Sequence, residues 1–411
     1  MYFVYNIFLY IVFFLSPIIF FIRVLNGKED PIRLKEKLCI YSKKNNLKSI
    51  WFHAVSVGEL MSIIPVLKIL EKNKKIDQII VTTSTISSAK IFEKQKFKNI
   101  IHRYFPLDTN FLNKRFIKYW KPQAAFFVDS EIWPNMFRNL KNNNIPVILL
   151  NGRITNKSFK RWSLFKNFSR LVFKNISLAL PSNSETKKSL NKLGVEKIQF
   201  IGNLKYCGLR DIKNKDSNLL KNKFKNFKVW CAASTHEGEE IFISKLHKRL
   251  KNKHKKLLTI IIPRHIDRTE KIIEDLNKNN LKVNKHSLGK NLKKNTDIYL
   301  VDTYGEASKF YNLSNICFVG GSIINHGGQN PLEPARLGNY ILNGPNIENF
   351  EEVYEFLKKN NMSRTTSNVK VFEKIIEKKL NKKISNINRN KIVKIGEKIL
   401  NKNMIYINKY I

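Results

Sequence analysis

"SIWFHAVSVGE", residues 49 to 59, decides the fold. Its first part, 49–55, is rich in aromatic and β-branched side chains and predicts a buried strand. Ser56-Val57-Gly58-Glu59 then fits S-x-x-E, the sequence form of a capping box, so a helix should open at once. The same succession recurs outward from there. Strand-like runs "QIIVTTS" (78–84), "AAFFVDS" (124–130), "PVILLNG" (146–152), "LALPS" (178–182) and "QFIGN" (199–203) are separated mostly by helical patterns. Residues 207–227 are polar and charged, and read as a linker. The alternation then restarts with "KVWCAAS" (228–234), "LTIIIPR" (258–264), "DIYLVDT" (297–303), "ICFVGGS" (316–322) and "YILNGP" (340–345). Alternating short strands and helices imply βαβ units and parallel sheets. The expectation is an α/β chain of two Rossmann-like domains, 48–206 and 228–380, facing a cleft, with a basic helical tail over 381–411.

The chain has 411 residues and a formal net charge of +43. That excess suggests an anionic partner: nucleic acid, acidic headgroups or a phosphorylated substrate. Lysine, asparagine and isoleucine are abundant together, as an AT-rich coding bias would make them, so the charge supports such a partner without identifying it. Cys39, Cys207, Cys231 and Cys317 form no C-x-x-C, which argues against disulfides or zinc and fits a reducing compartment.

Residues 2–22 carry no charged side chain, the length that one membrane-spanning helix needs. Arg23, Lys28, Arg33, Lys35 and Lys37 follow, which places the rest of the protein on the cytoplasmic side. The stretch 1–27 is read as a single membrane anchor; a helix dipping into one leaflet is the alternative.

In open α/β sheets ligands bind beyond the carboxyl ends of the strands. At those turns "SVGE" (56–59), "STHE" (234–237), "TYGE" (303–306) and "NPLE" (330–333) share a pattern: a hydroxyl or amide at the N-cap and a glutamate at N3. Each alone is an ordinary helix start. Together they present helix N-termini, which suit phosphates. "VGGS" (319–322) and "HGGQ" (326–329) add glycines for close backbone approach. "IIPRH" (261–265) ends a buried strand in Arg264, a natural phosphate partner or a solvated strand end. "VDSEIWPN" (128–135) puts Asp129 and Glu131 beyond a strand, and "GNLKY" (202–206) puts Lys205 beside the linker. His236 and His265 are too isolated to hold a metal, and no metal or cofactor is expected.

These motifs, in this order, resemble the 3-deoxy-D-manno-octulosonic acid (Kdo) transferases of lipopolysaccharide assembly: "WFHAVSVGE", "VTTST", "YFPLD", "EIWPN", "NGRIT", "GNLKY", "ASTHEGEE", "IIPRH", "DTYGE", "FVGGS", "NPLEP". The resemblance runs from the anchor to about residue 350. It implies a GT-B fold, with CMP-Kdo as donor on the C-terminal domain and a lipid A precursor as acceptor on the N-terminal one. It implies an enzyme at the cytoplasmic leaflet of the inner membrane. Glu59 matches the family's proposed general base, and Glu131 and Lys205 match positions thought to stabilise the transition state. Pro263 and Arg264, the turn Tyr304, Gly305 and Glu306, and Asn330, Pro331, Leu332 and Glu333 match segments that hold CMP. Ser234, Thr235, His236, Gly321 and Ser322 are further candidate donor contacts. One departure stands out: Gln329 occupies the place of a family histidine, and glutamine cannot become cationic.

An inverting transfer is expected, with Glu59 taking the acceptor proton and Arg264 and Lys205 facing developing or fixed negative charge. "GRITNKSFKRWSLFKNFSR" (152–170) interleaves basic and aromatic residues, as a membrane-surface segment or an ordinary amphipathic helix would. The alternatives are a GT-B enzyme using a UDP-sugar and a tethered nucleic-acid binder. The second lacks a groove-reading motif, and its glutamates would repel a phosphate backbone.

Overall fold

The computed structural model describes residues 1–41, 47–207, 217–289, 292–380 and 386–411. The chain forms two compact units, Met1–Gly208 with Ile395–Ile411, and Leu209–Lys394. Residues 208–216 of the sequence-read linker lie outside the described residues, and its second part holds the helix Ser217–Phe224.

The first unit holds a six-stranded parallel sheet of β1 (Ser49–His53), β2 (Ile79–Thr83), β3 (Ile100–Tyr104), β4 (Pro122–Val128), β5 (Val147–Gly152) and β6 (Leu178–Pro181). Their order across the sheet is β3-β2-β1-β4-β5-β6, the doubly wound arrangement. Every residue of β1, β2, β5 and β6 is buried, because helices cover both faces. Trp51, Phe116, Phe127 and Phe137 pack in the core beneath.

The second unit holds a seven-stranded parallel sheet. Its strands are β7 (Lys228–Thr235), β8 (Leu257–Pro263), β9 (Val283–Lys285), β10 (Ile298–Leu300), β11 (Ile316–Val319), β12 (Tyr340–Asn343) and β13 (Ser363–Thr365). The order is β13-β12-β11-β7-β8-β10-β9. Its core gathers Trp230, Leu246, Ile261, Ile298 and Phe318.

Four strand readings need correction. "QFIGN" forms no strand: only Ile198, just before it, makes a single bridge to Ala179 beside the edge strand β6. The edge strand β3, "IIHRY", escapes a search for apolar runs because His102 and Arg103 interrupt it. The short edge strands β9 and β13 likewise carry polar residues.

The same irregularity marks both sheets. The β5–β6 register shifts around Asn151, and the β7–β8 register shifts around Ser234. Both residues have positive φ, 56° and 53°. Each shift turns the chain out of its sheet at the carboxyl end, where bulges re-aim side chains.

Residues 395–411 pack within the first unit. Gly396 lies so close to Tyr206 that an added Cβ would meet the Tyr206 carbonyl at 2.5 Å, and the Cys207 thiol donates to the Gly396 carbonyl at 3.0 Å. The N-terminal helix Tyr2–Leu25 is long and apolar enough, by length and composition, to cross a bilayer.

Candidate active site

The strand order reverses between β1 and β4 in the first unit and between β7 and β11 in the second. Those switch points are where doubly wound sheets hold ligands.

At the first one, Ser56 caps the helix Val57–Leu70 by accepting from the Glu59 N–H at 3.3 Å. Glu59 folds back over this turn. Its Oε2 accepts from the Val55 N–H at 2.7 Å and its Oε1 from the Ser56 hydroxyl at 2.9 Å. A carboxylate offers about four lone-pair sites, so acceptor capacity remains on each oxygen. Burial pushes the Glu59 carboxyl up to about 7, and the neighbouring charges of Glu131 and Asp129 add to the shift against the two donors. A carboxylate poised there can exchange a proton at neutral pH.

After β4 the chain places Asp129 at φ 63°. Lys205 donates to Asp129 Oδ2 at 2.9 Å. Lys205 is itself set by Asn203, whose side chain accepts from the Lys205 N–H at 2.8 Å, while Asn151 accepts from the Leu204 N–H at 2.8 Å. The bulge at Asn151 thus positions the lysine. Glu131 accepts from the Trp133 indole N–H at 2.9 Å, and its Oε2 lies 3.5 Å from His53 Nε2. His53 is fully buried, stacked on Phe105 and bonded through Nδ1 to the Thr82 hydroxyl at 2.9 Å. Asp129 Oδ1 and His53 Nε2 are buried without a hydrogen-bond partner among the described residues. Glu59, Glu131 and Lys205 thus fall at one switch point of one sheet. Sequence reasoning missed His53 and Trp133 as supports of Glu131; the only signals were position, His53 at the end of β1 and Trp133 just before the helix Pro134–Asn142.

At the second switch point only part of the capping pattern survives. The helix Glu239–Lys253 starts after Gly238, at φ 92°, and not after Ser234. Glu237 is therefore not at N3; it is exposed and pairs with Lys271. Its neighbour Glu239, fully buried, does the organising. Its Oε2 accepts from the N–H groups of His236 (3.0 Å) and Gly321 (2.8 Å), its Oε1 from those of Ser322 and Ile323 (3.0 Å each). The backbone donors of Gly321 and Ser322 are thus engaged within the protein. Gly320 has no room for a side chain: a Cβ would sit 2.4 Å from the Ser234 carbonyl and 2.6 Å from Glu239 Oε2. Thr235 donates to Glu240 at 2.9 Å, and Arg268 pairs with the same carboxylate.

The Gly327-Gly328 turn folds back on this loop, with the Gly328 N–H on the Gly321 carbonyl at 2.7 Å. It carries the Gln329 amide to 3.2 Å from His236 Nε2 and the His326 ring to 4.2 Å from the His236 ring. Burial, followed by His326, His265, Arg268 and Arg264, pushes the His236 pKa down to about 4. Arg264 and Arg268 thus add positive charge to the surroundings of a buried imidazole. Arg264 and His265 are exposed beyond the buried Pro263 of β8, and Arg264 makes no ion pair among the described residues.

The remaining two turns also depart from the capping pattern. Glu306 is the N-cap of a five-residue helix, Ala307–Tyr311, and not N3. Its carboxylate is held by Lys309, Thr303 and His286, which keep it down at about 2. Tyr304 is exposed, and Gly305 has φ 83°. Asn330 accepts from the Leu332 N–H at 3.0 Å, but the helix Leu332–Arg336 has five residues and Pro331 at its N-cap, which leaves Glu333 exposed at N2. Proline and glycine interrupt each start, so among these four turns only at SVGE do the N-cap side chain and the N3 glutamate bond each other.

Two doubly wound units with polar residues at their switch points define the GT-B class of glycosyltransferase fold. A solved structure of a glycosyltransferase from Rickettsia africae covers 89% of this chain and 99% of its own, with a TM-score of 0.56; at 15% identity the likeness concerns the fold alone. The family model for 3-deoxy-D-manno-octulosonic-acid transferase (kdotransferase) matches residues 32–207. The 3-deoxy-D-manno-octulosonic acid transferase of Rickettsia bellii is 33% identical over 347 residues, 83% of this chain and 82% of the relative. That of Haemophilus influenzae is 31% identical over 399 residues, 94% and 92% respectively. The chain belongs to the Kdo transferase family.

Proposed function

We propose that this protein transfers Kdo from CMP-Kdo to a hydroxyl of a lipid A precursor at the cytoplasmic leaflet of the inner membrane. Glu59 is the general base. The observation that carries the reading is its carboxyl, raised to about 7 among Glu131 and Asp129 at the switch point of the first sheet.

The acceptor hydroxyl gives its proton to Glu59 as its oxygen bonds to C2 of Kdo. The bond from C2 to the phosphate oxygen breaks, and its electron pair leaves with CMP. Attack opposite the leaving group inverts the anomeric centre. Base catalysis of this kind contributes about 10²–10⁴-fold. Arg264 and the cationic surroundings of His236 offset the charge that grows on the phosphate. Lys205, released from Asp129 by a stronger anion, pairs with the Kdo carboxylate. Glu131, steadied by Trp133, stabilises the cationic character that develops at the anomeric carbon. The exposed Tyr304 and the turn at Asn330 flank the nucleotide.

The test is mass spectrometry of lipid product from purified full-length protein, CMP-Kdo and a tetraacyl lipid A precursor. Product heavier by one or more Kdo units supports the reading, and no product with an active control enzyme alongside overturns it. A UDP-sugar donor is the alternative, and competition between CMP and UDP for the donor site decides between them.

A further inference from the structure

We infer that the helix Tyr2–Leu25 lies in the plane of one leaflet, clamped lengthwise along the first unit, and does not cross the bilayer. A stalk that spans a membrane leaves its globular domain at one end. This helix meets the first unit through Tyr2, Tyr5 and Phe13 and, at its far end, through Phe20 and Arg23. Tyr5, Leu9, Val12, Ser16, Phe20 and Arg23 are buried or half-buried, at spacings of three and four that trace one helix face. The other face is bare: Phe3, Phe14, Ile18, Phe21 and Leu25 are 60–76% exposed.

The clamp at the N-terminal end is polar. The Tyr5 hydroxyl donates to Asp108 Oδ2 at 2.8 Å. Asn6 Oδ1 accepts from Asn135 Nδ2 at 2.7 Å and from Asn110 Nδ2 at 3.3 Å. Asp108 is buried and also accepts from Asn113 and from the N–H groups of Asn135 and Met136. Asp108 closes the "YFPLD" motif and Asn135 closes "EIWPN", so two motifs of the acceptor-side sequence meet on the first turns of the helix. The clamp at the other end is ionic. Arg23 and Lys37 both pair with the buried Glu29, and the Lys37 ammonium lies 5.5 Å from the Phe20 ring.

Tyr5 and Arg23 are eighteen positions apart, roughly 27 Å along a helix axis at 1.5 Å per residue. A spanning helix would carry one of those ends across about 30 Å of hydrocarbon, away from its partners. Asp108 would then lose the Tyr5 donor, and the Asn135 and Asn110 amides would lose Asn6. Both ends on one body fit a helix embedded from one side.

Lipid is the occupant of the bare face. Residues 2–22 include no charge, and cations border them: Arg23 and Lys28 at one end, Arg138 against the Tyr2 ring at the other. A Tyr2–Phe168 ring contact at 5.0 Å brings the helix beside the segment that exposes Leu164, Phe165 and Leu171, set among Lys160, Arg161 and Arg170. Apolar side chains rimmed by cations match acyl chains under anionic headgroups.

The four native cysteines are buried, so introduced ones can be read alone. In cells producing the full chain, a cysteine inserted after Met1 and, separately, Lys28→Cys would be treated with a membrane-impermeant maleimide before and after permeabilisation. Labelling of both from the same side is the expected result. Labelling of the two from opposite sides overturns the inference. Flotation with phosphatidylethanolamine–phosphatidylglycerol vesicles tests the occupant. Phe14→Asp with Ile18→Asp, checked for fold by circular dichroism, should lose vesicle-bound protein roughly ten-fold. Unchanged flotation, or a wild-type dimer in lipid that buries this face and that the double variant abolishes, overturns the lipid assignment.

Discussion

Glu59 and Glu239 hold matching places. Each lies in the first turn of the helix that follows the central strand of its sheet, at the switch point of its unit. Their surroundings differ. Glu59 takes two donors, keeps lone pairs to spare and faces two other carboxylates. Glu239 takes four backbone N–H groups and is sealed. One fold position thus serves proton exchange in one unit and loop architecture in the other. What separates them is the count of donors: a carboxylate saturated by amides is a structural anion, and one left half-satisfied among like charges is reactive.

The sharpest break of this contrast is Glu59→Gln. Turnover should fall by about 10²–10⁴-fold, measured by CMP release. Stability at pH 8 should hold or rise. A carboxyl raised to about 7 from an ordinary 4.5 binds its proton more tightly folded than unfolded, so its contribution is full below about 4.5 and lost as pH climbs through 7. Removing the charge relieves that loss. Retained turnover in a folded variant would remove Glu59 from the mechanism.

Glu239→Gln should act the other way round. The amide accepts through one oxygen and turns its NH₂ toward donors. The loss is about 3 kcal/mol or more in denaturant unfolding, since hydrogen bonds to charged groups are worth about 1.5–3 kcal/mol each. A neutral result would show the glycine loop to be held by something else.

The pH profile sharpens the assignment next. For wild type, kcat/KM should rise about ten-fold per pH unit below about 7 and level above it, as a free-enzyme base dictates. An unchanged limb in Glu59→Gln would give the titration to another group. Trp133→Phe removes one donor from Glu131 and should lower kcat/KM roughly ten-fold, the worth of one charge-assisted hydrogen bond at about 1.5 kcal/mol. Gln329→His should change least. The burial and the neighbouring cations that hold His236 near 4 would keep a new imidazole neutral, so KM for CMP-Kdo at pH 8 should shift by about three-fold or less. A much larger shift would show that a cation is tolerated there.

Much of the fold was legible because strands buried on both faces read as unbroken apolar runs. "AAFFV" and "TIIIP" sit in β4 and β8 as read. β3, β9 and β13 were not legible, since edge strands need no such run. At the first site SVGE was readable, because a cap is local chemistry between residues three apart. Glu237 against Glu239 was not readable: a glycine at positive φ delayed the helix, and three of the four donors to Glu239 lie more than eighty residues away.

By itself the sequence determined the α/β alternation, the charge-free N-terminal helix, the Ser56–Glu59 cap and membership of the Kdo transferase family. Each rests on periodicity, local pairing or ordered motifs that one chain displays. Only the tertiary structure decided which carboxylate is sealed and which is free. It alone seated Lys205 on Asp129 and clamped both ends of the apolar helix to one unit. Those outcomes depend on donors brought from distant strands and on burial, and neither distance in space nor loss of water is written in residue order.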